Sequence, residues 1–419
     1  MIGLIFNSIM KQGETSNENL MGDRFIPRRR IQGASDYKVL TEIKENSSKL
    51  QYASLLGCRD ENLLCFNRKK GQTGPNEIYQ DGKPKKTKVS SKLIKNGEKQ
   101  ILDIPGFKND YYLNLLDAYD DNLISAVLYS SVFIFNRKTK KIVLCNNIEQ
   151  DDIQPTCVKF NTSGSDVLAV GSDEGNLYLL DFVNNKRLVD VPMHQARIGC
   201  IDWNSQCNTL LATGSKDKTI ALYDTRTSKF KSMTKFHHYG EICGLKWNPN
   251  GLELASGGND NLINIWDLRN LQKPKHTINE HTAAVRALDW CPWDSNILGS
   301  GGGSGDMRLL VHDVQRQQCV KNIHTSSQVC ALAWEPESQK LITAHGFSKY
   351  QICLWDIENE NLLYEFVGHK NRVLSLSLAK DNSTMFSASA DETLRVWNLR
   401  AYTKKYVDRE SELTPMKLR

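Results

Sequence analysis

Histidines return at nearly regular intervals along the last three quarters of the chain. They stand at His194, His238, His281, His324 and His369. An imidazole can ligate a metal or act as a catalytic acid and base, and a cluster of them would suggest either chemistry. A position that repeats with the fold is set by the fold, so we expect these five to be buried structural side chains that hydrogen-bond neighbouring strands.

Cysteines form a second recurring set. The chain has eleven, an odd number, with no Cys-x-x-Cys pair of the kind that binds zinc. Four of them, Cys157, Cys200, Cys243 and Cys330, stand in similar short apolar stretches. We predict small buried side chains in equivalent strands of a protein from a reducing compartment.

Motifs of the common enzyme classes are missing. The sequence contains no Gly-x-Ser-x-Gly, no His-Glu-x-x-His and no P-loop. The glycines of GSGGGSGD, residues 299–306, lie between two strand-like runs and predict a turn. We therefore expect no catalytic residue, no cofactor and no metal, and a protein that is not an enzyme.

The elements that carry these residues are short strands in a repeat. Seven strand-like runs end in Trp-Asp or a variant of it, at intervals of 42 to 46 residues. Their last residues are Asn136, Asp181, Asp224, Asp267, Asp313, Asp356 and Asn398. Such a period is typical of WD40 β-propellers with four-stranded blades. We predict an all-β, seven-bladed propeller over residues 101–401 and a C-terminal tail over residues 402–419.

Residues 1–100 differ from the rest in charge. They contain 19 Lys and Arg against 11 Asp and Glu, which leaves 35 against 37 for the remainder. The basic stretch GKPKKTKVSSKLIK, residues 82–95, could be a nuclear import signal or a nucleic-acid patch. A solvated, flexible linker is an equal alternative, because no aromatic side chains are interleaved for base stacking. We predict a largely disordered basic region and no nucleic-acid partner. No apolar run is long enough for a membrane helix, and the opening MIGLIFNSIM lacks the basic leader of a signal peptide.

One N-terminal stretch carries apolar residues that no neighbouring sequence could bury. GDRFIPRRR, residues 22–30, resembles the C box of the fizzy and fizzy-related activators of the anaphase-promoting complex, a ubiquitin ligase. YASLLG, residues 52–57, is similar to a motif of the fizzy-related branch, and ILDIPGFKNDYYLNLLD, residues 101–117, to the family's entry into its propeller. Blade sequences such as SADETLRVWN also look like the family's. The resemblance runs from residue 22 to the end and favours the fizzy-related branch.

The resemblance implies two contacts with the ligase. The C box would fold onto one ligase subunit, with Arg24 in charge-assisted hydrogen bonds and its apolar residues in a groove. Its residues are Asp23, Arg24, Phe25, Ile26 and Pro27. Family members end in Ile-Arg, which docks in a second subunit, and this chain ends in Leu418 and Arg419. The changed branch point implies a weaker version of that contact.

A site for the Lys-Glu-Asn degron is also implied, on the top face of the propeller. Asp110 would take the lysine and Arg372 the glutamate, while amide and hydroxyl groups suit the asparagine. The set is Asp110, Asn259, Asn261, Ser304, Gln328 and Arg372. For any one asparagine, an ordinary role in a turn is the alternative.

Closing the ring adds a second degron site. Because Asn398 lies near the C-terminus, the segment before the first blade must pair with the last blade, which places residues 101–103 beside residues 390–393. The resemblance implies that the destruction box, Arg-x-x-Leu, binds there, with its arginine between Asp103 and Glu392 and its leucine against Leu102. Taken singly, Asp103 could cap a turn and Glu392 could be a solvated charge.

The sequence as a whole predicts a substrate-recognition and activator subunit of the anaphase-promoting complex, in nucleus and cytoplasm. Its partners would be ligase subunits, degron-bearing substrates and pseudosubstrate inhibitors, with no membrane involved. The alternative is a WD40 scaffold or histone-type reader with a nucleic-acid-binding basic tail, which would need neither the C box nor the terminal arginine. One blade departs from the family pattern, since His312 in MRLLVHD stands where tryptophan is expected.

Overall fold

In the computed structural model of the chain, the described residues are 98–144, 153–162, 164–226, 229–234, 238–400 and 402. Across these ranges, 28 strands form seven antiparallel sheets of four strands each. Six sheets use consecutive strands and are numbered here as blades 1 to 6. The seventh, blade 7, combines the last three strands with the first. The fold is therefore the predicted all-β propeller of seven blades.

The strand bounds follow the repeat. Blades 1 and 2 contain β2 (Leu116–Ala118), β3 (Leu123–Leu128), β4 (Ser131–Asn136), β5 (Lys141–Leu144), β6 (Pro155–Phe160), β7 (Val167–Ser172), β8 (Asn176–Asp181) and β9 (Lys186–Pro192). Blades 3 and 4 contain β10 (Ile198–Trp203), β11 (Leu210–Ser215), β12 (Ile220–Asp224), β13 (Lys229–Thr234), β14 (Ile242–Trp247), β15 (Glu253–Gly258), β16 (Ile263–Asp267) and β17 (His276–Ile278).

The remaining blades keep the same order. Blades 5 and 6 contain β18 (Val285–Trp290), β19 (Ile297–Gly302), β20 (Arg308–Asp313), β21 (Gln318–His324), β22 (Val329–Glu335), β23 (Lys340–His345), β24 (Ile352–Asp356) and β25 (Asn361–Phe366). Blade 7 contains β26 (Val373–Leu378), β27 (Thr384–Ser389), β28 (Thr393–Asn398) and β1 (Glu98–Asp103). Each predicted Trp-Asp ending closes the third strand of its blade.

The place of a strand within its blade sets its burial. Strands β10 and β11 are buried at every residue, because both faces pack against neighbouring blades. The outermost strands β9 and β21 alternate between exposed and more buried residues over most of their length, because one of their faces meets solvent. The apolar core is accordingly divided into clusters that lie between blades.

Four of the five recurring histidines have the predicted structural role. His194, His238, His281 and His369 are buried, and each pairs with an aspartate and with a hydroxyl of its own blade. In blade 4, Nδ1 of His238 lies 3.0 Å from Asp260 Oδ2. Burial opposes the charge of Asp260, but His238 and backbone N–H donors outweigh it and lower the pKa of Asp260.

The prediction for His324 is wrong. This residue is exposed at the end of β21, and the buried imidazole of blade 6 is His345 in β23. Its Nε2 lies 2.7 Å from Thr343 Oγ1, and its Nδ1 lies 3.0 Å from Ser327 Oγ. The turn after β23 lies in TAHGFSKY, residues 343–350, which contains no acidic residue. A histidine placed just before β22 therefore has no aspartate to pair with in this turn.

The four recurring cysteines are buried free thiols in the innermost strands, as predicted. Cys157 and Cys200 share one register position, opposite a glycine of the next strand. Cys243 and Cys330 occupy the position before it, where the innermost strand bulges. The similar sequence settings thus correspond to two adjacent positions of the blade.

The ring closes through β1, but the register differs from the expected one. Asp103 lies opposite Thr393 and Leu102 opposite Leu394. Of the stretch ADET, only Thr393 pairs with β1, because residues 390–392 form the turn that precedes β28. Among the described residues, no helix is long and apolar enough to cross a membrane.

Residues 104–115, called here the central segment, lead from β1 to the first blade across the middle of the ring. The hydroxyl of Tyr111 donates to the carbonyls of Ala284 and Val329, each at 3.3 Å. Asn114 donates to the carbonyl of Gly199 at 2.9 Å. These partners belong to or directly precede the innermost strands of blades 3, 5 and 6, so the central segment is fixed by several blades at once.

Candidate functional site

A small apolar cavity of about 70 Å³ lies between blades 7 and 1. Blade 7 supplies Leu102 and Leu394 to its wall, and blade 1 supplies aliphatic and aromatic side chains that include Phe133 and Phe135. Ile142 also lines it and is 39% exposed, so the wall continues to the surface. The geometry suits an aliphatic side chain of a ligand.

The two predicted acids lie at the same junction. Asp103 lines the cavity and is exposed. Glu392 is also exposed and directly precedes Thr393, the cross-strand partner of Asp103. The carbonyl of Glu392 accepts a hydrogen bond of 2.8 Å from Ile104, and its Oε1 accepts one of 3.3 Å from the N–H of Gly106. Two carboxylates beside an apolar pocket could bind a cation that is adjacent to an aliphatic group.

A tyrosine that the sequence did not indicate completes this junction. Tyr129, in the turn between β3 and β4, is 49% exposed and packs its ring over Gly106. A Cβ at Gly106 would lie 2.3 Å from the ring, and its φ of +75° also favours glycine. Burial, and next the nearby Glu392, raise the pKa of Tyr129. A phenol donor therefore lies close to Glu392.

On the top face, the side on which the central segment crosses, Asp110 is already part of an ion-pair network. Its Oδ2 accepts a bond of 3.0 Å from Arg197 Nη1, and Arg197 Nε donates to Glu241 Oε1 at 2.6 Å. Burial opposes the charge of Arg197, but Glu241 and Asp110 outweigh it and raise the pKa of Arg197. With one arginine between two acids, the network could still accept a second cation.

Arg372 is buried, with only 2% of the residue exposed. Its Nε and Nη2 donate to Asn109 Oδ1 at 3.0 and 2.6 Å, and its guanidinium lies 5.7 Å from the ring centroid of the exposed Phe347. Among the described residues, Nη1 has no hydrogen-bond partner. One donor is thus left without a partner, although it is buried in the free protein.

The other four predicted residues are distributed along the same face. Asn259 accepts a hydrogen bond of 2.9 Å from Tyr112, and Asn261 donates to the carbonyl of Thr282 at 3.2 Å. Ser304 is half-buried in the turn of blade 5, and Gln328 is buried just before β22. The six residues therefore form an arc over blades 4 to 7 and the central segment. Asn109, Arg197 and Tyr112, which hold three of them, were not predicted.

The predicted ligase contacts lie elsewhere in the chain. The C box, residues 23–27, and the terminal pair Leu418 and Arg419 fall outside the described residues, so both remain predictions.

Comparison with known proteins gives one consistent family. The model of the CDC20/Fizzy WD40 domain matches residues 102–397. Cell division cycle 20.5, cofactor of APC complex, from Arabidopsis thaliana is 33% identical over 94% of this chain and 92% of its own. Meiotic fizzy-related protein 1 from Schizosaccharomyces pombe is 38% identical over 72% of this chain and 70% of its own.

A solved structure supports the same assignment. A chain in the crystal structure of the mitotic checkpoint complex superposes with a TM-score of 0.69 at 31% identity, covering 78% of this chain and 99% of that one. Relatives named for both branches match, so the fizzy-related branch stays a prediction. The family match spans all seven blades, and the chain belongs to the CDC20/Fizzy family of WD40 proteins.

Proposed function

We propose that this protein is an activator of the anaphase-promoting complex and brings substrates to it through their degrons. Family members are non-catalytic adaptors, and the chain is not an enzyme. Two relatives are named as a cofactor and a subunit of that complex. Activation would come from holding a substrate lysine near the ubiquitin-charged enzyme, which raises its effective concentration.

The junction of blades 7 and 1 carries the proposal. The destruction box offers an arginine and, three residues later, a leucine. The junction offers the carboxylates of Asp103 and Glu392 beside a cavity lined by Leu102 and other apolar side chains. An extended peptide advances about 3.3 Å per residue, so these two side chains lie roughly 10 Å apart along it. A groove of that length can reach both side chains, which point to opposite sides of an extended peptide.

The top-face arc supports a second degron site. A lysine of a Lys-Glu-Asn peptide would join Arg197 between the carboxylates of Asp110 and Glu241. Its glutamate would accept from Nη1 of Arg372, the donor with no partner among the described residues. The amides of Asn259 and Asn261 and the hydroxyl of Ser304 suit an asparagine.

Localisation in nucleus and cytoplasm is part of the proposal, because the substrates of such an activator would be cell-cycle proteins. Pseudosubstrate inhibitors would use the same two sites. The predicted basic stretch at residues 82–95 would then serve import rather than nucleic-acid binding.

Co-purification tests the function directly. The tagged full chain is expressed in cells from which it is recovered under gentle conditions, and co-purifying proteins are identified by mass spectrometry. We expect the subunits of the anaphase-promoting complex and an increase in ubiquitination of a destruction-box substrate when the chain is added to the ligase. Recovery without any ligase subunit would refute the proposal, and co-purification of histones instead would favour the reader alternative.

A further inference from the structure

We propose that the outer edge between blades 4 and 5 binds a zinc ion through Glu280, His312 and Cys319. One ligand atom from each residue can be chosen so that all three lie within 4.8 Å of one another. Tetrahedral zinc with these ligand types needs atoms about 3.5 Å apart, from bond lengths of roughly 2.0 to 2.3 Å. Small side-chain rotations would close that difference.

The fold brings the three residues together from two blades. His312 in β20 and Cys319 in β21 are cross-strand partners in the register of blade 5, so their side chains share one face. Glu280 comes from the connection that follows β17, the outermost strand of blade 4. A bound ion would therefore join two neighbouring blades at their outer edge.

The buried imidazole is the observation that points to a ligand. His312 is 2% exposed, and its Nε2 has no hydrogen-bond partner among the described residues. The corresponding tryptophans Trp266 and Trp355 donate to hydroxyls of their own blades at 2.8 and 2.7 Å. A buried polar atom without a partner is unfavourable, and coordination of a metal would satisfy it.

The ligand types fit zinc. The thiol of Cys319 donates to the carbonyl of Lys321 at 3.1 Å, a hydrogen bond that would break when the sulfur binds the ion. Binding would displace the thiol proton to solvent and leave a thiolate ligand. A thiolate, an imidazole and a carboxylate together favour zinc over magnesium or calcium.

A fourth ligand is available beside the cluster. A cavity of about 60 Å³ is lined by Glu280, His312 and His276 among others, which gives room for a water or for the His276 imidazole. Glu280 is exposed, so the ion could enter from solvent.

Metal titration of the full chain tests the proposal. The protein is stripped with a chelator and dialysed, and zinc is titrated against a chromogenic competitor, while cobalt is added in parallel to detect thiolate coordination by its absorption. We expect one ion more for the wild type than for Cys319→Ser. Cys207→Ser, which alters a half-buried thiol of blade 3, is the matched control and should bind like the wild type.

A second variant separates the site from general thiol binding. His312→Trp restores the residue type of the other blades and should lose the ion while keeping or raising the melting temperature of the metal-free protein. Equal zinc binding by the wild type and Cys319→Ser, or a cobalt–thiolate band that persists in Cys319→Ser, would overturn the proposal. If His312→Trp does not fold, the comparison of the two cysteine variants still decides.

Discussion

Removing both acids at the junction of blades 7 and 1 should weaken destruction-box binding selectively. The double variant Asp103→Ala and Glu392→Ala leaves Leu102 and the apolar cavity in place. It also spares the backbone bond from Ile104 to the carbonyl of Glu392, which any residue can make. The variant loses the bond from the N–H of Gly106 to Glu392 Oε1 but keeps the backbone pairing of β1 with β28, so it tests recognition of the arginine with the ring still closed.

The magnitude follows from the exposure of the acids. Both side chains are exposed in the free protein, so each ion pair with a bound arginine starts from a hydrated carboxylate. Exposed pairs contribute about 0.2 to 1 kcal/mol, and charge-assisted bonds that a ligand partly covers contribute about 1.5 to 3 kcal/mol. Two contacts between these limits give about 2 kcal/mol, or roughly a 30-fold rise in Kd.

Fluorescence polarisation with labelled peptides provides the assay. An Arg-x-x-Leu peptide and a Lys-Glu-Asn peptide are titrated with the wild type, with the double variant and with Asp166→Ala plus Glu358→Ala. The last variant removes the same charge from exposed positions of blades 2 and 6. Only the first peptide should weaken, and only in the junction variant. Equal weakening in the control would mean that net charge, not the junction, sets the affinity, and unchanged binding in both would place the site elsewhere.

Three further predictions concern other parts of the chain. Arg24→Ala should abolish co-purification of the ligase without changing the melting temperature, and deletion of Leu418 and Arg419 should have a smaller effect; the reverse order would contradict our ranking of the two contacts. Arg372→Gln should weaken a Lys-Glu-Asn peptide at least tenfold in the same polarisation assay and leave Arg-x-x-Leu binding unchanged, because it removes the donor Nη1. Burial lowers the pKa of His345 to about 4, so between pH 6.5 and 4 the unfolded imidazole binds a proton and the folded one does not. The free energy of unfolding should therefore fall over this range by about 3 kcal/mol more in the wild type than in His345→Gln. Denaturant titrations at several pH values measure it, and an equal fall in both proteins would refute this prediction.

The blade pattern could be predicted because it is local. A third strand ending in Trp-Asp, such as β16 at Asp267, alternates its side chains between neighbouring blades and ends at a turn, and both features are visible within a few residues. The histidine of blade 6 could have been found in the same way. The turn after β23 lacks the aspartate that His238 finds in Asp260, and this absence indicates that blade 6 uses another partner.

The contacts within the candidate sites could not be predicted, because they join distant segments. Arg372 and Asn109 are 263 residues apart, and Asp110 and Arg197 are 87 apart. Neither partner carries a local signal of the other. The role of Tyr129 could not be predicted for a different reason. A tyrosine in a hairpin turn carries no signal of its own, and only ring closure places Glu392 and Gly106 beside it.

The central segment links the two candidate sites physically. Leu102 and Asp103 end β1 at one site, and seven residues later Asp110 enters the other. Directly after Asp110, the hydroxyl of Tyr111 donates to carbonyls of blades 5 and 6. Its ring packs edge-on against that of Tyr112, with 5.5 Å between the ring centroids. A segment fixed at both ends and by several blades has little freedom to move at one site alone. The geometry of the top-face network therefore depends on the same ring closure that forms the groove between blades 7 and 1.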